Sequence, residues 1–225
     1  MSVPISDLES WAIRFAAAAS VTLAGRGEVM SDGLAAGSDS LLAAGREFSD
    51  EAGHRRLVDP PFVAWCRQTP GAALARQGDL PDDAVTRLWW ALHDSTIDPD
   101  TIISRGVPAP LCTPLLNRPA TIEVATEEEL CALHALWWLA IRRGRADWRE
   151  RCVETALWLI EYIQPDNATN HPWGLHVFVA CEAELGPEGP HYAATMLHNC
   201  QVSLGRPDVL SALILRDAAR ALRAN

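Results

Sequence analysis

The chain is 225 residues long, 48% apolar and 21% charged, and its 29 acidic against 19 basic side chains leave a net charge of −10. That balance works against the phosphate neutralisation that DNA and RNA binding require, so nucleic acid is not an expected partner. The length suits one ordinary domain with a real core, and the apolar run from Phe15 to Gly25 is too short to cross a bilayer, so no membrane span is expected.

In chain order, Ile5 to Leu23 predicts a first helix, because Leu8, Trp11, Ala12 and Phe15 share one helical face. The Gly- and Ser-rich stretch Gly25 to Ser40 predicts a flexible connection, and Leu41 to Ala52 a modest amphipathic helix. Residues 1–55 read as an N-terminal helical arm, more loosely packed than the helical-hairpin domain of residues 56–225. Pro61 to Gln68 and Pro70 to Gln77 suit short helices that open on proline. Asp82 to Ser95 carries Val85, Leu88, Trp89 and Leu92 at helical spacing behind an acidic first turn. Gly106 to Pro119, with four prolines, predicts an irregular excursion over the surface or over an opening.

The C-terminal half opens on Thr126 and Glu129, a capping-box spacing that predicts a helix from Thr126 to about Arg143, stopped by Gly144. A return helix follows over Trp148 to Ile163, then a polar loop, then helices over His171 to Leu185, Glu188 to Leu204 and Pro207 to Arg223. Nearly every residue from Leu130 to Ile141 and from Trp173 to Cys181 is apolar, as in helices buried on most sides. Arg149, Glu150, Arg151 and Glu154 instead mark the Trp148 helix as an outer one. Leu88-Trp89-Trp90-Ala91-Leu92 recurs 48 residues later as Leu136-Trp137-Trp138-Leu139-Ala140, an interval that fits one helical hairpin. The expected class is all-α, antiparallel helical hairpins stacked as an α/α solenoid or partial toroid.

Ala156-Leu157-Trp158-Leu159-Ile160, then Gln164-Pro165-Asp166-Asn167, then Trp173-Gly174, resembles the repeat of the terpenoid cyclase and protein prenyltransferase toroids. The resemblance spans residues 156–174 and implies hairpin geometry more than chemistry, since Asn167 replaces the glycine of that repeat's turn and extra residues separate Gln164 from Trp173. Asp98-Pro99-Asp100-Thr101 is similar to the acidic motif of one class of those cyclases with one aspartate missing, and reads more plainly as an Asp cap before proline.

Histidines concentrate in the C-terminal half, at 134, 171, 176, 191 and 198. Cys131 and His134, or His191 and His198, share helix faces, but neither spacing is a metal signature, and no metal or cofactor is expected. His134, His176, His171 and Asp166 are the candidate acid–base groups, imidazole being the side chain that titrates near neutrality. Trp138, Trp173, Asn167 and Asn170 are the candidate substrate-binding residues, the two asparagines from a loop that would rim a toroid's opening. The same loop also reads as a helix cap with an Asx turn. The six cysteines, dispersed without a CxxC pair, read as reduced thiols of a cytoplasmic protein.

Two functions stay open. One is a pocket protein, an enzyme or a binder, that takes an apolar or ring-containing molecule such as a terpenoid or sugar, with a homo-oligomeric assembly allowed. The other is a helical-repeat interaction module without catalysis.

Overall fold

A helix with no polar face has to be surrounded, and Glu129 through Ala140 are all buried. The computed structural model describes residues 5–22, 29–30, 47–49, 55–57, 60–66, 79–106, 112–116, 121–163, 171–202, 205 and 207–225. In chain order its helices are α1 (Ile5–Ala18), α2 (Pro60–Cys66), α3 (Ala84–Ala91), α4 (Ile122–Arg143), α5 (Ala146–Tyr162), α6 (Leu175–Ala180), α7 (Glu182–Leu185), α8 (Glu188–Val202) and α9 (Val209–Ala224). Helix α4 is the central one and touches α3, α5 and α6, while α8 covers α6 and α1 lies along α9. The fold is therefore helical, as the apolar periodicity predicts.

Each main helix has a local reason for its bounds. The Asp83 carboxylate accepts the Thr86 amide at 2.6 Å and starts α3. Gly144, at φ 63°, takes the left-handed conformation that ends α4 and lets α5 return after two residues. Leu210, Leu213, Ile214, Ala218 and Ala221 give α9 the stripe that it buries. Trp89 and Trp137 are wholly enclosed, each removing roughly 150–250 Å² from water, which makes them large single contributors to the core.

Five expectations are corrected. Residues 47–49 of the expected Leu41–Ala52 helix are strand β3 (Glu47–Ser49), paired antiparallel with β4 (Arg55–Leu57), a partner from outside the apolar window that overrides its helical pattern. A smaller ladder joins β1 (Val21–Thr22) to β2 (Val29–Met30), the latter inside the expected flexible connection. The segments Pro70 to Gln77 and Gln164 to Asn170 lie outside the described residues. Thr126 and Glu129 are no capping box, because α4 starts at Ile122, Thr126 Oγ1 donates to the Ile122 carbonyl at 2.6 Å, and Glu129 accepts the Leu115 and Leu116 amides at 2.6 and 2.8 Å. The expected His171–Leu185 helix is broken at Gly174 and at Cys181, whose φ of −105° and ψ of 23° separate α6 from α7.

The fifth correction is Arg151, placed by its neighbours on a wet face but buried in the structure. Its guanidinium donates to the Ser104, Thr113 and Pro114 carbonyls at 3.2, 3.1 and 2.6 Å and to the hydroxyls of Ser104 and Thr155. Together with Glu129 it fastens the two described sides of the proline-rich excursion, which the Ser104 amide and the Leu115 carbonyl also join at 2.7 Å. Removing one partner of such a network strands several carbonyls, so Arg151→Met should lower the unfolding free energy by about 3 kcal/mol, read from urea denaturation. The exposed neighbour substitution Glu150→Gln should change it by no more than about 0.5 kcal/mol.

Candidate functional site

Helices α4, α6 and α9 bring one imidazole to the middle of the molecule and use both of its nitrogens. His134 lies 3.0 Å from Asp217 through Nε2, and the Gly174 amide reaches Nδ1 at 3.2 Å. An ionised carboxylate can only accept and an amide N–H can only donate, so Nε2 carries the proton and Nδ1 offers its lone pair. His134 is thereby a neutral ring of one fixed tautomer. Trp138 Nε1–H donates to the same Asp217 oxygen at 2.7 Å, and Arg220 holds the other. Burial alone would raise the Asp217 pKa, but the Arg220 charge and the His134 and Trp138 hydrogen bonds outweigh it and hold the carboxyl below its usual range.

Gly174 makes this contact possible twice over. Its φ is +68°, and a Cβ there would stand 2.9 Å from the Leu130 carbonyl of α4. Only glycine lets the start of α6 press against α4 closely enough for its amide to reach the ring.

The His176 ring stands 4.3 Å from that of His134, with Trp137 at 6.3 Å, and both histidines are 0% exposed. Trp173, Trp89 and Phe62 close the aromatic group around His134, with centroid distances of 4.8 to 6.0 Å. Neither nitrogen of His176 has a hydrogen-bond partner among the described residues. Burial pushes its pKa well below the ordinary value and keeps it neutral.

His171 is held differently. Nδ1 lies 2.9 Å from Glu127 of α4 and Nε2 3.5 Å from Asp208, the residue whose carboxylate also caps α9 by accepting the Ser211 amide at 2.7 Å. Two acceptors on two ring nitrogens require an imidazolium. Burial opposes that charge, but the Asp208 and Glu127 carboxylates overcome it and raise the pKa to about 9.

Of the residues singled out from sequence, the structure thus unites His134, His176, Trp138 and Trp173, and gives His171 separate partners. Asp166, Asn167 and Asn170 lie outside the described residues. Asp98 caps a 3-10 turn, Pro99–Thr101, by accepting the Asp100 amide at 3.0 Å, and Asp100 accepts the Trp148 indole N–H at 2.6 Å. Cys131 accepts the Trp89 indole N–H at 3.3 Å, and among the described residues no set of three His, Cys, Asp or Glu side chains is placed to hold a metal.

Sequence reasoning missed Asp217, Arg220 and Gly174. A signal existed for Asp217, a carboxylate between Ile214 and Ala221 on the apolar stripe of α9, where only a partner from another helix explains it. Missed too was an open cleft of about 320 Å³ at the α4–α5 turn, lined by Trp137, Ala140, Ile141, Arg145 and Arg149 among others.

Comparison with known proteins finds no match among family models, curated proteins or solved structures.

The two titrating histidines give opposite pH limbs. His171 binds its proton more tightly folded than unfolded, so its contribution is complete below about pH 6.5 and fades as pH rises through about 9, an effect of about 3 kcal/mol at most. His176 is kept neutral by the fold, so the unfolded chain takes the extra proton and stability falls as pH drops below about 6.5. Chemical denaturation across pH 5 to 9 should therefore show His171→Gln flattening the alkaline limb and His176→Leu flattening the acid one. His176→Leu should also raise stability at pH 7 by about 1 kcal/mol, because it removes two buried groups that have no partner. A loss at pH 7 would mean that the ring is bonded.

Proposed function

We propose that this chain is a small-molecule pocket protein whose ligand, apolar or ring-containing, enters the cleft at the α4–α5 turn. What carries the reading is one adjacency. Trp137 forms part of the cleft wall, and 6.3 Å from its ring centroid stands that of His176, whose nitrogens have no partner among the described residues. Native interiors rarely leave such groups idle, and a ligand is one of the few ways to use them. Ala140, Ile141 and Ala146 give the cleft apolar walls, in keeping with a ring-bearing guest. Any proton transfer in this reading falls to His176, since His134 has both nitrogens committed and His171 is held charged. We place the protein in the cytoplasm, supported by six unpaired cysteines, and among the described residues no helix is long and apolar enough to cross a membrane. A partial α/α toroid is the arrangement we propose for the hairpins, supported by the α4–α5 hairpin and by the resemblance of residues 156–174.

A second reading, the non-catalytic interaction module, has its own support. Ile122 and Val124 at the start of α4 and Tyr162 at the end of α5 are exposed and belong to the same end of that hairpin. A second copy of the chain or another protein would be the partner there.

A thermal-shift screen of ring-bearing compounds separates the readings. Ligand at 100 times its Kd stabilises by about 2.7 kcal/mol, which for a chain of this size is a rise of roughly 5–10 °C. Ile141→Trp should fill the cleft and abolish that rise while leaving the unliganded melting temperature within a few degrees. A rise that survives Ile141→Trp, or none with any compound, would contradict the pocket reading.

A further inference from the structure

Four arginines crowd the α4–α5 turn of a chain whose net charge is −10, and three are spent on the protein itself. Arg142 donates to the Leu92 carbonyl at 2.9 Å and lies over Trp65. Arg143 donates to the Ala91 and Ile97 carbonyls at 2.6 and 3.3 Å, closing the end of α3. Arg145 is ion-paired with Asp147 and with Asp100, and its charge is answered twice. Arg149 is the exception. It is exposed, has no ion pair among the described residues, and its guanidinium rests on the Trp137 ring, 4.7 Å from the centroid, at the wall of the cleft.

Trp137 supplies the independent observation. It lines the cleft, is 0% exposed, and its indole N–H has no acceptor among the described residues. A buried donor of that kind calls for an acceptor, and the described residues offer none. Among the described residues the cleft therefore presents an unanswered cation beside apolar walls, and the tryptophan beneath that cation has an unanswered indole N–H, a pairing that a neutral hydrocarbon guest would leave unsatisfied. A carboxylate satisfies both, since its two oxygens take a guanidinium fork and still have lone pairs for an indole N–H.

Resting on the pocket reading above, we infer that the cleft takes a small ring-bearing carboxylate, with Arg149 swinging off the Trp137 face to clamp the head group and the ring lying against Ala140, Ile141 and Ala146. Arg149 is a binding residue whose guanidinium lies over the face of the Trp137 ring. Its long exposed side chain makes that movement cheap, because among the described residues it breaks no ion pair and only the cation–aromatic contact with Trp137. Arg145 keeps Asp100 and Asp147 and shapes the rim.

Indole-3-acetate and its neutral isostere indole-3-acetamide are the probes, titrated calorimetrically at low ionic strength into the wild type, Arg149→Gln and Ile141→Trp. The expected result is a carboxylate preference of tenfold or more in the wild type, lost in Arg149→Gln with the amide's affinity unchanged, and no binding of either probe to Ile141→Trp. Arg149 touches solvent, so an unchanged melting temperature for Arg149→Gln verifies that folding is intact. Equal affinity of the two probes, or a preference that survives Arg149→Gln, overturns this inference and leaves the pocket reading standing. Binding that survives Ile141→Trp overturns the location and the pocket reading with it.

Discussion

A buried carboxylate is expensive in any protein interior, and the position of three helices here depends on how the charge of one is answered. Asp217 sits on the apolar stripe of α9, where an unpaired ionised carboxylate would cost several kcal/mol. Arg220 answers the charge from the same helix, and Trp138 and His134 reach it from α4. His134 passes the constraint on, because with Nε2 given to Asp217 only Nδ1 remains, and that accepts the Gly174 amide at the start of α6. One neutral ring thus sets the spacing of α4, α6 and α9. Compensation exceeds the cost of burial, as the depressed pKa of Asp217 shows.

The three histidines of this region divide into three electrostatic roles, and that division bears on function. His134 is committed on both nitrogens, His171 is a charged bridge from α4 to the cap of α9, and His176 is neutral and without a partner among the described residues. The first two are positioning groups whose protonation is fixed by their partners. The third, backing the Trp137 wall, is the one whose surroundings are unfinished, and this shifts attention from the crowded centre of the molecule to the cleft at the α4–α5 turn.

Much of the fold was legible in the sequence because burial writes a direct signature. The apolar run from Leu130 to Ala140, broken only by His134, announced a surrounded helix, and Gly144 announced its end. The meeting of His134 with His176 followed from two such helices packing together. The failures share a different cause. Glu129 and Arg151 are polar residues in wet-looking company, and their partners are backbone groups of a loop that no periodicity describes. Thr126 and Glu129 matched a local motif that a long-range contact overrode. The β3 strand defeated a helical pattern because a two-stranded ladder draws its pairing from a partner beyond the window that was read. The cleft was invisible for a similar reason, since Trp137, Arg149 and Ala224 come from three helices.

The tautomer of His134 is the most direct test. Nitrogen-15 NMR of the intact chain at pH 7, resolving the two ring nitrogens, should find His134 protonated at Nε2 with an unprotonated, hydrogen-bonded Nδ1, and Asp217→Asn should perturb that pattern. A proton on Nδ1, in either the other tautomer or the imidazolium, would be incompatible with the Gly174 contact and would contradict the account.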